Sequence, residues 1–307
     1  MKTKKLVAIV GPTATGKTPL AIRLAKDFNG EIVNADSRQV YRYMNIGTAK
    51  PTGEELSRAP HHLIDIVDTD ADFGLAQYQE LAYKAIGDIQ SRGKLPLLVG
   101  GTGQYVWAVL EGWVIPSVAP DLEFRKSLQA RADNGEAVEL YKELEQADPA
   151  AAKRIDKRNV RRVIRALEVL QHAGEPFSGL QKKDPPDFDM LIIGLTADRK
   201  ELYRRIDSRV DKMIELGLVE EVESLIDKGY SLKLPSMSGI GYRQIGQYLK
   251  GDLTLEAAIE KIKFDTHRIA RHQYAWFHLN DERIRWVEVV EDAEREANRL
   301  VAEFLGK

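Results

Sequence analysis

Short apolar runs alternate with stretches of helical period through the first 115 residues of the chain. The run LVAIV, beginning at Leu6, reads as a buried strand, and a helical pattern follows from Gly16 to about Phe28. EIVNAD at 31–36 predicts a second strand and HLIDIVD at 62–68 a third. Residues 75–92 carry a long amphipathic pattern, and LPLLVGGTG at 95–103 predicts a fourth strand ending in glycines. Apolar strands separated by helices argue for an α/β fold, a parallel sheet with helices on both faces. Ligands of such sheets bind at the carboxyl ends of the strands. Asp36, Thr102 and the loop after the first strand all fall at such ends, so one crevice should collect them.

The pattern breaks at Pro116, in IPSVAPD. From Asp121 to about Gly174 everything reads as helix; KKDPPDFD then returns the chain to a strand, MLIIGL, at 190–195. A helical insertion over 119–187 in a discontinuous core of 1–118 and 188–307 is the simplest organisation. The remainder predicts helices from Arg199, a turn at PSMSGIGY, a helix over 254–277, a strand over 284–289 and a terminal helix.

Composition removes several classes of chemistry. With no cysteine among 307 residues there are no disulfides, thiolate metal sites or cysteine nucleophiles. The six histidines do not cluster at metal spacing; His61 and His62 are adjacent on a predicted strand and should point to opposite faces. Lys plus Arg number 45 against 47 acids, so any basic surface must be local. No apolar run reaches membrane-spanning length, and MKTKK leads straight into the first strand without a secretory signal, which predicts a cytoplasmic protein with no membrane partner.

The loop after the first strand is GPTATGKT, Gly11 to Thr18, and satisfies G-x-x-x-x-G-K-[ST] on a strand–loop–helix. Such a P-loop turns its backbone N–H groups around a phosphate at the positive end of the next helix. Lys17 would reach the outer phosphate and the Thr18 hydroxyl would hold Mg²⁺. The competing reading is a glycine turn with chance side chains. Nucleotide hydrolases usually add a strand ending in an acid that helps to hold Mg²⁺. The best candidate strand here ends instead in Gly100, Gly101 and Thr102. Those glycines suggest close approach of a ligand. The strand-end acid is Asp36, either a turn residue or, beside a phosphate site, a general base.

A second charged feature lies in the insertion. KRIDKRNVRRVIR, from Lys153 to Arg165, has seven basic residues and one acid. Arg158, Arg161, Arg162 and Arg165 follow helical spacing, with Val160, Val163, Ile164 and Leu167 on the opposite, core-facing side. An arginine stripe without acids at pairing distance suits phosphate recognition and predicts a polyanion surface, where an ordinary charged stripe would be a solvated face.

With these motifs in order, the chain resembles the tRNA dimethylallyltransferase (IPP transferase) family over nearly its whole length. The resemblance is carried by GPTATGKT, ADSRQVYR from Ala35, IGTAKP from Ile46, PHHLID from Pro60, LVGGTG from Leu98, RALEV from Arg165 and GYRQ from Gly241. It implies a P-loop NTPase-like catalytic core with an inserted all-α domain. The implied reaction transfers a dimethylallyl group from dimethylallyl diphosphate to the exocyclic amine of the adenosine 3′ of the anticodon, releasing diphosphate. By resemblance, Gly11, Pro12, Thr13, Ala14, Thr15, Gly16, Lys17 and Thr18 hold the diphosphate with Arg209 and Mg²⁺ at Thr18, and Arg205 lies one turn before Arg209. Asp36 takes the proton of the amine, making Asp36, Lys17, Thr18 and Arg209 the expected catalytic set. Ser37, Arg38, Gln39 and Thr102 hold the flipped nucleotide, while Arg125 and the stretch Arg161, Arg162, Val163, Ile164, Arg165 contact the tRNA anticodon stem-loop. The expected species is a monomer.

The family usually has arginine where this chain has His267 and His272, whereas Gln273 and Trp276 match; packing is the expected role of Trp276 and Phe277. Two alternatives remain: an adenylate isopentenyltransferase, which would not need the arginine stripe or the insertion, and a small-molecule ATP kinase, which ADSRQVYR and the missing acid oppose.

Overall fold

The computed structural model describes residues 4–115, 121–173 and 182–307. Two compact units divide the chain: an α/β unit of 1–110 with 187–307, and a helical unit of Glu111–Pro186. The helical unit therefore starts ahead of the proline loop that the sequence marks, and part of that loop, 116–120, falls outside the described residues.

In the α/β unit the elements run β1 (Lys5–Val10), α1 (Lys17–Asp27), β2 (Gly30–Asn34), α2 (Gly53–Arg58), β3 (His61–His62), α3 (Leu75–Ser91), β4 (Leu95–Val99) and α4 (Gly103–Leu110). The six-stranded sheet is completed by two strands from beyond the helical unit, and every pairing in it is parallel. The centre of the sheet is β1, between β4 and the later strand Asp189–Thr196. The chain leaves β1 toward β2 on one side while the later strands lie on the other, so the loop after β1 occupies the crevice where strand order reverses.

Alternation decides which side chains meet which helices. Val7 and Ile9 pack with Leu97, Val99 and Ile193 against Leu20 and Leu24 of α1, while Leu6, Ala8 and Val10 are buried on the opposite face. Tyr78, Ala82, Ile86 and Ile89 form the buried side of α3, which packs on β2 and β4. Each such Val, Leu or Ile stabilises by roughly 1.5–3 kcal/mol when fully buried, which holds the strand ends rigid beneath the loops.

The third strand is where expectation fails. Only His61 and His62 pair with β2, and the rest of HLIDIVD is irregular, with Leu63 and Asp65 in the left-handed region. His62 instead donates or accepts with Glu31, a 4% exposed carboxylate that also takes Arg92 and Lys94 and is held well below its ordinary range, chiefly by Arg92.

The helical unit contains α5 (Leu122–Arg131), α6 (Ala137–Ala147), α7 (Pro149–Ala152) and α8 (Val160–Ala173). Its helices enclose a core of Leu128, Leu140, Leu144, Ile155, Val163, Ile164 and Leu167. The predicted continuous helix is broken at Gly135, with φ 96°, and again over 153–159. Gly174, its predicted end, lies outside the described residues.

The α/β unit resumes with β5 (Asp189–Thr196), α9 (Arg199–Glu215), α10 (Leu218–Asp227), α11 (Tyr242–Leu249), α12 (Leu255–Tyr274), β6 (Ile284–Glu288) and α13 (Ala293–Leu305). Asp198 and Thr254 cap α9 and α12 by accepting first-turn N–H groups. A second core of Val210, Met213, Leu218, Val222, Tyr242, Ile245 and Ile262 joins α9 to α12 and to the segment around Val40 and Met44.

Candidate active site

The P-loop follows β1 with Ala14 and Gly16 in the left-handed region, and Gly16 caps α1. Lys17 and Thr18 are the first helical residues, so their N–H groups have no partner within α1. Pro19 completes that first turn, where its missing N–H breaks no helix bond. Thr15 is buried and braces the loop by donating to the Pro12 carbonyl at 2.8 Å. Lys17 Nζ donates to the same carbonyl at 2.7 Å. Burial first, and then nearby Arg209, lower Lys17 to about 8 against the opposing pull of Asp36. Arg209, on α9, donates to Thr13 Oγ1 at 2.6 Å, and its own value is lowered by burial against the pull of Asp36. Its Nε is buried without a partner among the described residues.

One member of the expected cradle is committed elsewhere. The Thr13 amide donates to Gln273 Oε1 at 2.8 Å, and Gln273 Nε2 donates to the Gly101 carbonyl at 3.0 Å. Gln273 of α12 therefore ties the P-loop to the end of β4, a role the sequence match did not disclose.

Asp36 sits just past β2. Its amide donates to Asn34 Oδ1, and its Oδ1 accepts the Arg38 N–H at 2.8 Å, so the carboxylate is oriented by its own turn. Thr102, at the end of β4, accepts the Ser37 N–H through Oγ1 at 3.0 Å. Arg38 reaches to the Pro235 and Ser236 carbonyls at 2.9 and 3.2 Å, and Gln39 donates to the carbonyls of Thr48 and Ala49. The glycines ending β4 allow close approach of the protein's own chain. A Cβ at Gly100 would lie 2.1 Å from the Ala35 carbonyl oxygen, and one at Gly103 would lie 2.2 Å from the Trp276 ring.

Two cavities of the α/β unit meet at this point. One, of about 370 Å³, is lined by the P-loop residues Thr13, Ala14, Gly16, Lys17 and Thr18, with Arg205 and Gln39. The other, of about 560 Å³, opens on Ser37, Arg38, Thr102, Gln104, Arg243, His272 and Trp276. Thr13, Asp36, Thr48, Ala49, Gly101 and Arg209 line both. Trp276 is thus a cavity wall as well as a packing residue, whereas Phe277 is buried as expected.

The helical unit gives the arginines unequal surroundings. Arg158 precedes α8 and pairs with Asp156, so the predicted four-arginine stripe is three residues long on the helix. Arg125 and Arg165 both bind Glu168, whose side chain is fully buried. Burial raises that carboxyl, but Arg125, Arg165 and the Asp121 N–H together outweigh it and hold the group below its ordinary value. Glu168 was the overlooked residue; its place three positions after Arg165 was the available signal. Arg161 and Arg162 are exposed and form no ion pair among the described residues. Val163 and Ile164 are 1% and 5% exposed and belong to the core, so their side chains pack inward rather than face solvent.

A metal at Thr18 would find the hydroxyl as a hard oxygen donor, and among the described residues no group of three or more His, Cys, Asp or Glu could hold an ion. No helix described is long and apolar enough to cross a membrane.

Known proteins resemble this chain in sequence and fold. Residues 39–280 match the family described as IPP transferase. The chain is 51% identical over 300 residues to a tRNA dimethylallyltransferase of Roseiflexus sp. (strain RS-1), covering 98% of each. It is 49% identical over 300 residues to that of Dehalococcoides mccartyi, covering 98% of this chain and 92% of the relative. Among solved structures, the full-length tRNA isopentenylpyrophosphate transferase of Bacillus halodurans superposes with a TM-score of 0.73 at 42% identity, covering 99% of this chain and 97% of that one. A eukaryotic dimethylallyltransferase acting on tRNA gives 0.85 at 29% identity, covering 99% and 80%. The chain belongs to the IPP transferase family.

Proposed function

We propose that the chain transfers a dimethylallyl group from dimethylallyl diphosphate to the exocyclic amine of the adenosine 3′-adjacent to the anticodon in tRNA, releasing diphosphate. The observation that carries this reading is the meeting of two cavities at Asp36, one lined by the P-loop and the other by Ser37, Arg38 and Thr102. The donor's diphosphate lies in the first cavity, and the adenine, turned out of the loop stack, enters the second.

Three problems must be solved at the junction. The adenine amine is a weak nucleophile, the diphosphate must leave with its charge, and water must stay out. Asp36 accepts the proton as nitrogen attacks the allylic carbon, and its alignment by the Arg38 N–H keeps it acceptor-ready. Lys17, Arg209 and the first-turn amides of α1 meet the negative charge developing on the bridging oxygen. A Mg²⁺ arriving with the diphosphate fits this donor set, because that ion keeps several waters and takes few protein oxygens, and when bound it adds positive charge at the leaving group. Thr18 would hold it. Arg161 and Arg162, with Arg125 and Arg165 on their shared carboxylate, meet the phosphates of the anticodon stem-loop. The expected unit is a monomer working in the cytoplasm.

The test supplies labelled dimethylallyl diphosphate with unmodified tRNA or with AMP. Label is expected in tRNA, at the adenosine next to the anticodon. Label in AMP alone would favour the mononucleotide reading, and phosphate release from ATP would favour a kinase.

A further inference from the structure

The two cavities share a wall made of chain without helix or strand. Gly47, Thr48 and Ala49 line the larger cavity, and Thr48 and Ala49 also line the smaller. Such a segment holds its place only through bonds to something rigid.

Glu221, in the first turns of α10, supplies them. Its Oε2 accepts the amides of Asn45 and Ile46 at 2.9 and 2.8 Å, and its Oε1 accepts the Gly47 amide at 3.1 Å. Three successive N–H groups converging on one group form an anion nest, here filled by an internal carboxylate. The buried Tyr242 hydroxyl donates to the same Oε1 at 2.6 Å, and its ring lies against Gly47, where a Cβ would come within 2.5 Å. From the opposite side Gln39 draws on the Thr48 and Ala49 carbonyls. The segment is pinned through its amides from α10 and through its carbonyls from the Asp36 turn.

We propose that Glu221 is a positioning residue for the transfer reaction: it sets the wall that aligns donor and acceptor and closes the junction to water. The proposal rests on the prenyl-transfer reading. When the wall shifts, water reaches the junction and competes with the amine. Its oxygen bonds to the allylic carbon as the carbon–oxygen bond to diphosphate breaks, and the proton passes to Asp36, giving dimethylallyl alcohol and diphosphate.

The experiment measures diphosphate released per dimethylallyl group incorporated into tRNA, alongside kcat and KM, for wild type, Glu221→Gln and Tyr242→Phe. Glutamine keeps the shape but cannot accept all three amides. Its kcat should fall about tenfold, as loss of alignment predicts, with KM for tRNA changed less than about threefold. The release ratio should rise above the wild-type value, and Tyr242→Phe should move it the same way by less. Partial unfolding alone would lower release and incorporation together, so an unchanged ratio in Glu221→Gln overturns the proposal. If that variant does not fold, Tyr242→Phe decides on the same criterion. A wild-type chain that leaves tRNA unmodified overturns the parent reading and this one with it.

Discussion

The P-loop cations of the α/β unit and three arginines of the helical unit have opposite surroundings. In the α/β unit, Lys17 and Arg209 are enclosed and bond only to a carbonyl and a hydroxyl, with no ion pair among the described residues. Both values are lowered, by burial first. In the helical unit, Arg125, Arg158 and Arg165 each hold a carboxylate of their own unit. Enclosing a cation without a counter-ion costs stability, so such a site is explained by an anionic ligand that restores the balance. A guanidinium on a buried carboxylate already has its partner and contributes to folding. Counting arginines along the chain therefore does not separate cations already held by a carboxylate from cations left without one.

The comparison breaks most visibly at the junction of the cavities. Asp36→Ala should lower kcat by roughly 10²–10⁴-fold, the range for a lost general base, while leaving the tRNA dissociation constant near its wild-type value. Equal loss of tRNA binding would make Asp36 part of the fold of its turn. Arg209→Ala should lower kcat by roughly 10²–10³-fold, as for other donors aimed at developing charge. Deleting Arg125 removes the same formal charge in the other unit and should leave single-turnover transfer at saturating tRNA nearly unchanged.

A titration sharpens the contrast. Free Lys17 is protonated below about 8, and a bound diphosphate favours the protonated form. Affinity for inorganic diphosphate should thus be full below pH 8 and fall by up to about tenfold per pH unit above it. The guanidiniums of the helical unit stay charged across that range, so tRNA affinity should not follow. Calorimetry of both ligands between pH 7 and 10 checks the pair. The helical unit has its own acid limit. The Glu168 carboxyl is lowered on folding, so its contribution is present above the ordinary carboxylate value and is lost as pH falls through the depressed one. Glu168→Ala should destabilise by about 2 kcal/mol, below the full buried-pair value because both arginines are about a third exposed. Thermal unfolding at pH 7 and pH 4 measures both effects.

The legibility of the chain divides along the same physical lines. Strands β1, β2, β4 and β5 are apolar because both faces are covered, and such runs announce themselves locally. The two-residue β3 does not, since His61 and His62 pair only because Asn34 and Glu31 beside them hold that segment in place. The P-loop was legible because its residues are contiguous. Gln273 was not, because the bond to Thr13 spans 260 residues and no local rule aims a helical glutamine at a distant amide. The convergence of Asp36, Thr102 and Arg209 could be expected from strand ends and resemblance, but the wall held by Glu221 could not. The carboxylate partners of Arg158 and Arg165 were hidden for a related reason: helical spacing shows which residues share a face, not which acids reach them.

The smallest predicted effect separates arginines that remain available from those already engaged. Replacing Arg161 and Arg162 by alanine should weaken tRNA binding several-fold and reduce the slope of log affinity against log salt by about one per residue. Arg158→Ala should change the slope less, because Asp156 already accepts its guanidinium at 2.7 Å and counterion release from that pair is small. Binding isotherms at a series of salt concentrations give all three slopes. If Arg158 contributes as much as Arg161 and Arg162, ion pairing within the unit does not withdraw a charge from the RNA, and the division between the two units reduces to burial alone.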